Sequence, residues 1–348
     1  MSLADGPLSA PAPAAPLKVA LAMAPDVAAR IFPPSRLAAL GEGLELLSPE
    51  PLSSFDTPLA QALLPQVEVL LTGWGAPLLT EEVLARAPKL RFALHAAGSV
   101  KEHITDAVWD RGIQVSTAAE ANSIPVAEYT LAMILLANKC VLQLASQLQD
   151  GRAAMDPEAL FPGMGNFGKT VGLVGASRIG RRVIELLRPF DVTVLVADPF
   201  LSPAGAAGLG VELVELDELV AAADVVSVHA PDLPETHHLL NEARIEAMRP
   251  GATFINTARG ALVDQAALAR RIGRGDLYAV LDVTTPWVLD AGDPLYGHPN
   301  VVLTPHIAGS LGVELGRLAS YALQEARRAA AGLPLRYPVT ARELARSA

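Results

Sequence analysis

Two side chains in the C-terminal half are of the types that move a proton and hold an anion. His306 stands between Pro305 and Ile307, just after an apolar run. Imidazole is the side chain whose ordinary pKa lets it give and take a proton near neutrality. Arg259 stands in Ile255-Asn256-Thr257-Ala258-Arg259-Gly260. Its planar guanidinium can hold a carboxylate and a neighbouring carbonyl oxygen in one forked geometry, which a lysine cannot reproduce. Each has an ordinary alternative, a structural histidine or a surface arginine in an ion pair. A third cluster is Gly175-Ala176-Ser177-Arg178-Ile179-Gly180. In a G-x-G-x-x-G loop the first glycine makes the tight turn, the second lets the backbone approach a pyrophosphate, and the third packs helix on strand. Here Ser177 takes the middle place; it is small enough to admit phosphates, and its hydroxyl could donate to them. A ligand-free turn is the alternative, against which Asp198 counts. It ends the next β-like run, about 20 residues beyond the loop, where a carboxylate accepts from ribose hydroxyls and repels a 2′-phosphate. NAD is therefore expected in preference to NADP.

These residues need a scaffold that brings strand ends together. Short β-like runs at 18–23, 67–72, 90–96 and 113–116 alternate with segments of helical spacing, which predicts parallel β-strands. A long apolar helical stretch follows at 126–148, read as unbroken and long enough to bridge two domains. A second series has runs at 170–174, 192–197, 225–229, 252–256, 279–282 and 301–304, the strand count of a dinucleotide-binding sheet. A last helical stretch is expected at 310–331. The predicted fold is α/β, with two Rossmann-like domains built on parallel sheets. The dinucleotide-binding domain, 123–308, is inserted into a substrate domain made of 17–122 plus 309–348.

The 348 residues suffice for two cores. Residues 1–16, rich in Ala and Pro and without the pattern of a secretory signal, are expected to be a disordered leader. Cys140 is the only cysteine, so no intrachain disulfide forms and a cytoplasmic location is the default. Apolar runs are broken before they could cross a bilayer, and no membrane span is expected. A formal charge of -10 argues against a nucleic-acid surface and for a small-molecule ligand. No metal site is expected.

The glycine loop, Ser227-Val228-His229-Ala230-Pro231, the Asn256–Gly260 turn, Leu281-Asp282-Val283 and Leu303-Thr304-Pro305-His306-Ile307-Ala308-Gly309 occur in one order. In that order the chain resembles the D-isomer-specific 2-hydroxyacid dehydrogenases, including phosphoglycerate, glyoxylate and hydroxypyruvate reductase-like members, from about Leu17 onward. The resemblance implies NAD-dependent hydride transfer between a small D-2-hydroxy acid and its 2-oxo acid. His306 would act as acid–base and Arg259 as the clamp on carboxylate and carbonyl. It implies that Gly98 and Ser99, in Ala96-Ala97-Gly98-Ser99-Val100, grip the substrate carboxylate through backbone N–H groups. It places Gly175, Ser177, Arg178, Ile179, Gly180, Asp198, Ala230, Pro231, Thr236, Thr257, Ala258, Asp282, His306 and Gly309 along the cofactor. Asp282 would accept from the nicotinamide carboxamide; capping of a strand end is its alternative. Leu94, His95, Trp74 and the Pro286-Trp287 pair either shape the pocket or serve as core or lid. A homodimer is implied as well.

One position departs from the family pattern. Most members carry, after Leu-Asp-Val, a glutamate that pairs with the catalytic histidine, and Thr285 is read as occupying that place. A threonine supplies no charge, although it could orient the imidazole by a hydrogen bond. Three outcomes follow: His306 works with an ordinary pKa, Asp290 or Asp293 substitutes, or the chain binds NAD as a catalytically weak or inactive regulatory protein.

Overall fold

The computed structural model describes residues 15–344. Residues 1–14 of the expected leader therefore lie outside the described residues. The chain divides into two compact units. Among the described residues, unit 1 takes in 15–118 and Leu315–Ala341; unit 2 takes in Ala119–Glu314 and 342–344. The crossings thus fall after Ala118 and Glu314 rather than after residues 122 and 308.

Unit 1 holds strands β1 (Leu17–Ala22), β2 (Leu44–Leu46), β3 (Val69–Thr72), β4 (Phe92–His95) and β5 (Gln114–Thr117), together with β13 (Pro338–Val339) from the chain's end. The sheet order is β13-β5-β4-β3-β1-β2, parallel except for β13, which runs antiparallel to β5. The helix Leu315–Ala330 belongs to this unit, starting later than the expected 310. It buries Leu315, Leu318, Ala319, Ala322, Leu323 and Ala326, the three-and-four spacing of a helix face turned to a core.

Unit 2 holds β6 (Lys169–Val174), β7 (Val192–Ala197), β8 (Glu212–Leu213), β9 (Val225–Val228), β10 (Thr253–Asn256), β11 (Tyr278–Leu281) and β12 (Val301–Leu303). Their order is β12-β11-β10-β9-β6-β7-β8, all parallel. Both faces are covered. Val225, Ile255 and Val280 pack with Val183, Ile184 and Leu187 on one side. Val226, Phe254 and Ala279 pack with Leu219, Leu268 and Ile272 on the other. Strands buried on two faces read as continuous apolar runs, which is how they stand in the sequence. Order reverses between β6 and β9, and such a switch point opens a crevice at the carboxyl ends of the strands.

The expected single helix over 126–148 is two helices, Ala119–Asn138 and Val141–Gly151, bent by 57° at the break. Cys140 takes the left-handed conformation there, with φ 52°. The Asn138 carbonyl accepts instead from the Gly165 N–H at 2.7 Å, a tertiary bond that helical periodicity does not announce. The first helix lies within unit 2, packed on the helix Arg178–Leu187. Among the described residues no single helix is long and apolar enough to cross a membrane.

Candidate active site

The nucleotide loop leaves β6 at Val174. Gly175 has φ +103°, and a Cβ there would press on the backbone of His229 and Ala230. A Cβ on Gly180 would collide with the Gly175 carbonyl oxygen. Both glycines are thus required for the loop to fold back on itself and for the helix to start close behind it. Ser177 meets no such demand. Its backbone is extended (φ -64°, ψ -179°), and its hydroxyl oxygen caps the helix Arg178–Leu187 by accepting from Gly180 N–H at 3.4 Å. That explains why serine is tolerated at the middle position. The N–H groups of Arg178 and Ile179 lie in the first helical turn, where no intrahelical acceptor exists. Such donors, at the positive end of the helix dipole, suit a pyrophosphate.

Asp198 follows β7 and turns its carboxylate toward this loop. Oδ2 accepts from Ala176 N–H at 2.7 Å and Oδ1 from Phe200 N–H at 2.8 Å. A carboxylate has about four acceptor positions, so the group still has capacity for ribose hydroxyls. The loop, the helix start and this acid fit an adenine dinucleotide without a 2′-phosphate. Arg178 has a further partner, Glu120, at 2.9 Å. Thr236 closes its own loop, donating to the Pro231 carbonyl at 2.7 Å and accepting from Leu233 N–H at 2.9 Å.

Arg259 leaves β10 through a turn tied by the buried Asn256. The Asn256 Oδ1 accepts from Ala258 N–H at 3.0 Å, and its Nδ2 donates to the Arg259 carbonyl at 2.9 Å. Thr257 lies 3.3 Å, hydroxyl to hydroxyl, from Thr130. The guanidinium is half-buried, with Nη1 donating to the Ala258 carbonyl at 2.7 Å, so most of its donors are left for a ligand.

His306 follows β12 in the left-handed conformation, φ 54°. Asp282, at the end of β11 and 2% exposed, explains how a non-glycine residue stays there. Its Oδ1 accepts from the Thr304 hydroxyl at 2.6 Å and Ile307 N–H at 2.8 Å, and its Oδ2 from Ala308 N–H at 3.0 Å. The Asp282 carbonyl accepts from His306 N–H at 3.1 Å. Tyr129 extends the chain by donating to the Thr304 hydroxyl at 2.9 Å. Asp282 therefore has the strand-end capping role, with acceptor capacity left over. At the far side of this turn, Asn122 Oδ1 accepts from Ser310 N–H at 2.9 Å, and a Cβ on Gly309 would stand 3.3 Å from the same oxygen.

Burial pushes the His306 pKa below its ordinary value; Asp282 opposes the fall and Arg259 adds to it. His306 Nδ1 is buried and has no hydrogen-bond partner. Thr285 does not supply one: it is exposed, and its N–H donates to Gln265 Oε1 at 3.1 Å. The side chain lying against the imidazole is Trp287, with ring centroids 4.5 Å apart. The Thr284 hydroxyl, within reach of the Pro286 (2.8 Å) and Trp287 (3.1 Å) carbonyls, ties a tight turn that lays the Thr285 hydroxyl against Gly260 and Trp287 onto His306. Asp293 folds onto its own loop, its Oδ1 accepting from Leu295 N–H at 2.9 Å, and neither it nor Asp290 bonds to His306. Sequence reasoning named Trp287 only as a pocket, core or lid residue and missed Tyr129, Asn256 and Gln265. A polar residue just inside a strand end was the one available signal, at Asn256.

Gly98 and Ser99 lie in unit 1, in the loop after β4, where Ser99 Oγ accepts weakly from Lys101 N–H at 3.5 Å and the Ala97 carbonyl from Ala118 N–H at 3.0 Å. His95, at the end of β4, is buried, with Nδ1 2.9 Å from the Thr72 hydroxyl. Among the described residues no three His, Cys, Asp or Glu side chains are grouped to hold a metal ion.

Residues 131–308 match the family model described as D-isomer specific 2-hydroxyacid dehydrogenase, NAD binding domain. The chain is 37% identical over 302 residues to the D-3-phosphoglycerate dehydrogenase of Mycobacterium tuberculosis, covering 86% of this chain and 55% of that protein. To the protein of the same name from Archaeoglobus fulgidus it is 34% identical over 259 residues, covering 74% and 49%. The chain therefore spans about half the length of the curated relatives it matches. Among solved structures, the TT0316 protein from Thermus thermophilus shares 33% identity with a TM-score of 0.72, over 93% of this chain and 100% of that one. The NAD complexed form of a D-isomer specific 2-hydroxyacid dehydrogenase from Lactobacillus delbrueckii ssp. bulgaricus shares the fold, with a TM-score of 0.77 at 20% identity over 93% and 100%.

Proposed function

We propose, on the premise that this chain belongs to the D-isomer specific 2-hydroxyacid dehydrogenase family, that it interconverts a small D-2-hydroxy acid and its 2-oxo acid with NAD. The observation that carries this reading is the placement of Arg259 and His306 in turns at the carboxyl edge of the sheet that also carries the nucleotide loop. The chemistry that NAD supplies when bound is acceptance or return of a hydride. Arg259 binds the carboxylate and the 2-oxygen in one fork, fixing the carbon that reacts. His306 in its neutral form takes the hydroxyl proton during oxidation; in its protonated form it delivers a proton to that oxygen during reduction. Gly98 and Ser99 are assigned, by resemblance, to holding the substrate carboxylate through their N–H groups.

The sign of the pH dependence follows from the lowered His306 pKa. Reduction needs the imidazolium, so it declines as pH rises through a value below 6.5, whereas oxidation by the neutral ring persists above that value. Loss of NADH absorbance with a panel including 3-phosphohydroxypyruvate, hydroxypyruvate and glyoxylate tests the reading. Measurable NADH binding with no turnover on any 2-oxo acid rejects it. That result would favour the regulatory alternative, for which the unpartnered His306 Nδ1 is the supporting observation. A homodimer formed through unit 2 is part of the proposal, supported by the exposed Leu148, Leu160 and Phe167 on that unit and tested by light scattering. A cytoplasmic location accords with the single unpaired Cys140.

A further inference from the structure

A histidine that must hold a proton at one stage of a reaction needs something that favours its charged form. Around His306 that support is meagre. Asp282, from the end of β11, favours the imidazolium, but its carboxylate is turned to the 304–308 turn, from which it accepts three hydrogen bonds. Arg259, from the turn after β10, and burial both oppose it. Nδ1 faces no acceptor. The remaining neighbour is the indole of Trp287, whose ring centroid lies 4.5 Å from that of the imidazole with the planes inclined by 33°. This ring is 67% exposed, so burial is not what keeps a large apolar side chain in that place. Its backbone is instead held by the Thr284 hydroxyl.

We propose that Trp287 is the positioning partner of His306, its indole face both confining the imidazole and stabilising the imidazolium, as a paired carboxylate would. The aromatic face carries the negative part of the ring quadrupole, and a cation within about 6 Å of the centroid is attracted to it, most strongly for tryptophan. A tilted stack also blocks rotation of the imidazole about χ2, which the main-chain bonds of the turn leave free. Through this contact the site keeps an acid–base histidine without placing a second negative charge beside the substrate carboxylate. The proton-transfer part of the inference rests on the function proposed above; the ring contact and its effect on protonation do not.

The test uses the full chain without ligand, following the imidazole Cε1–H resonances against pH by NMR. The His306 signal is the one lost in His306→Asn. Trp287→Ala is expected to lower the His306 midpoint by about half a pH unit or more, and Trp287→Phe by less, since phenyl has the weaker face. Trp287→Glu is expected to raise it above that of the unaltered chain. A midpoint that stays put or rises in Trp287→Ala overturns the proposal, as does an equal fall in Trp287→Phe. With NADH and 2-oxo acid, the pH at which reduction declines should move with the same midpoints. If the resonances shift as expected and the rate profile does not, the contact stands and His306 is not the acid–base group.

Discussion

The carboxyl edges of the two sheets both lead into histidines, with opposite consequences. In unit 1, β4 ends in His95, 2% exposed, its ring centroid 4.7 Å from that of His103 with the planes inclined by 37°. Burial holds His95 well below the ordinary histidine range and takes His103 down to about 4. Each ring has a buried Nε2 without a hydrogen-bond partner. In unit 2, β12 leads to a half-buried His306, for which Asp282 offsets part of the burial effect. A histidine at a strand end is therefore not a site by virtue of its position. Depth and neighbours decide how far its proton affinity falls.

The sharpest way to break this contrast is to remove each histidine. His306→Asn is expected to lower kcat about 10²- to 10⁴-fold in both directions, the usual worth of a positioned acid–base group. Steady-state assays check it, and a loss below tenfold would place the proton transfer elsewhere. His103 should reveal itself in stability instead. Its folded pKa lies below the unfolded one, so its contribution is complete above about pH 6.5 and is lost as the pH falls toward 4. The full drop amounts to about 3 kcal/mol, since each tenfold change in proton affinity between the folded and unfolded chain is worth about 1.4 kcal/mol. Urea unfolding at pH 7.5 and 4.5 of the unaltered chain and of His103→Asn measures it: the substitution should narrow the difference by about that amount, the rest coming from the buried His95 and His229. A smaller effect belongs to Arg259→Lys, which keeps the charge and loses the fork. It should raise the KM for a 2-oxo acid roughly tenfold with NADH affinity unchanged by calorimetry. Least of all, Thr285→Val should leave kcat/KM within about twofold, because valine keeps the shape that rests on Gly260 and the lost hydroxyl is not bonded to His306.

Features with a local cause could be read from the sequence. The strands of unit 2 are apolar runs because both their faces are covered. Gly175 and Gly180 stand where a Cβ has no room, and the helix beginning at Arg178 follows its serine cap. Features decided by distant partners could not be read in this way. The edge strands β8 (Glu212–Leu213) and β13 (Pro338–Val339) are too short to show a period. The break at Cys140 depends on a bond between Asn138 and Gly165. Spacing after Leu-Asp-Val suggested Thr285 as the partner of His306, but a turn closed by the Thr284 hydroxyl carries the chain past it and presents Trp287. The position of the histidine was visible, whereas the identity of its neighbour was set by loop geometry.

The bond between Asn122 and Ser310 has a consequence for how this architecture arose and how it can be handled. The long segment of unit 2, Ala119–Glu314, begins near the first residue and ends near the second, so the bond clasps its two ends together. A segment with adjoining ends can be lodged in a surface loop of a host without prising that host apart. The same adjacency makes residues 119–314 a natural cassette: exchangeable between relatives, or closed by a short peptide and opened elsewhere to give a permuted chain.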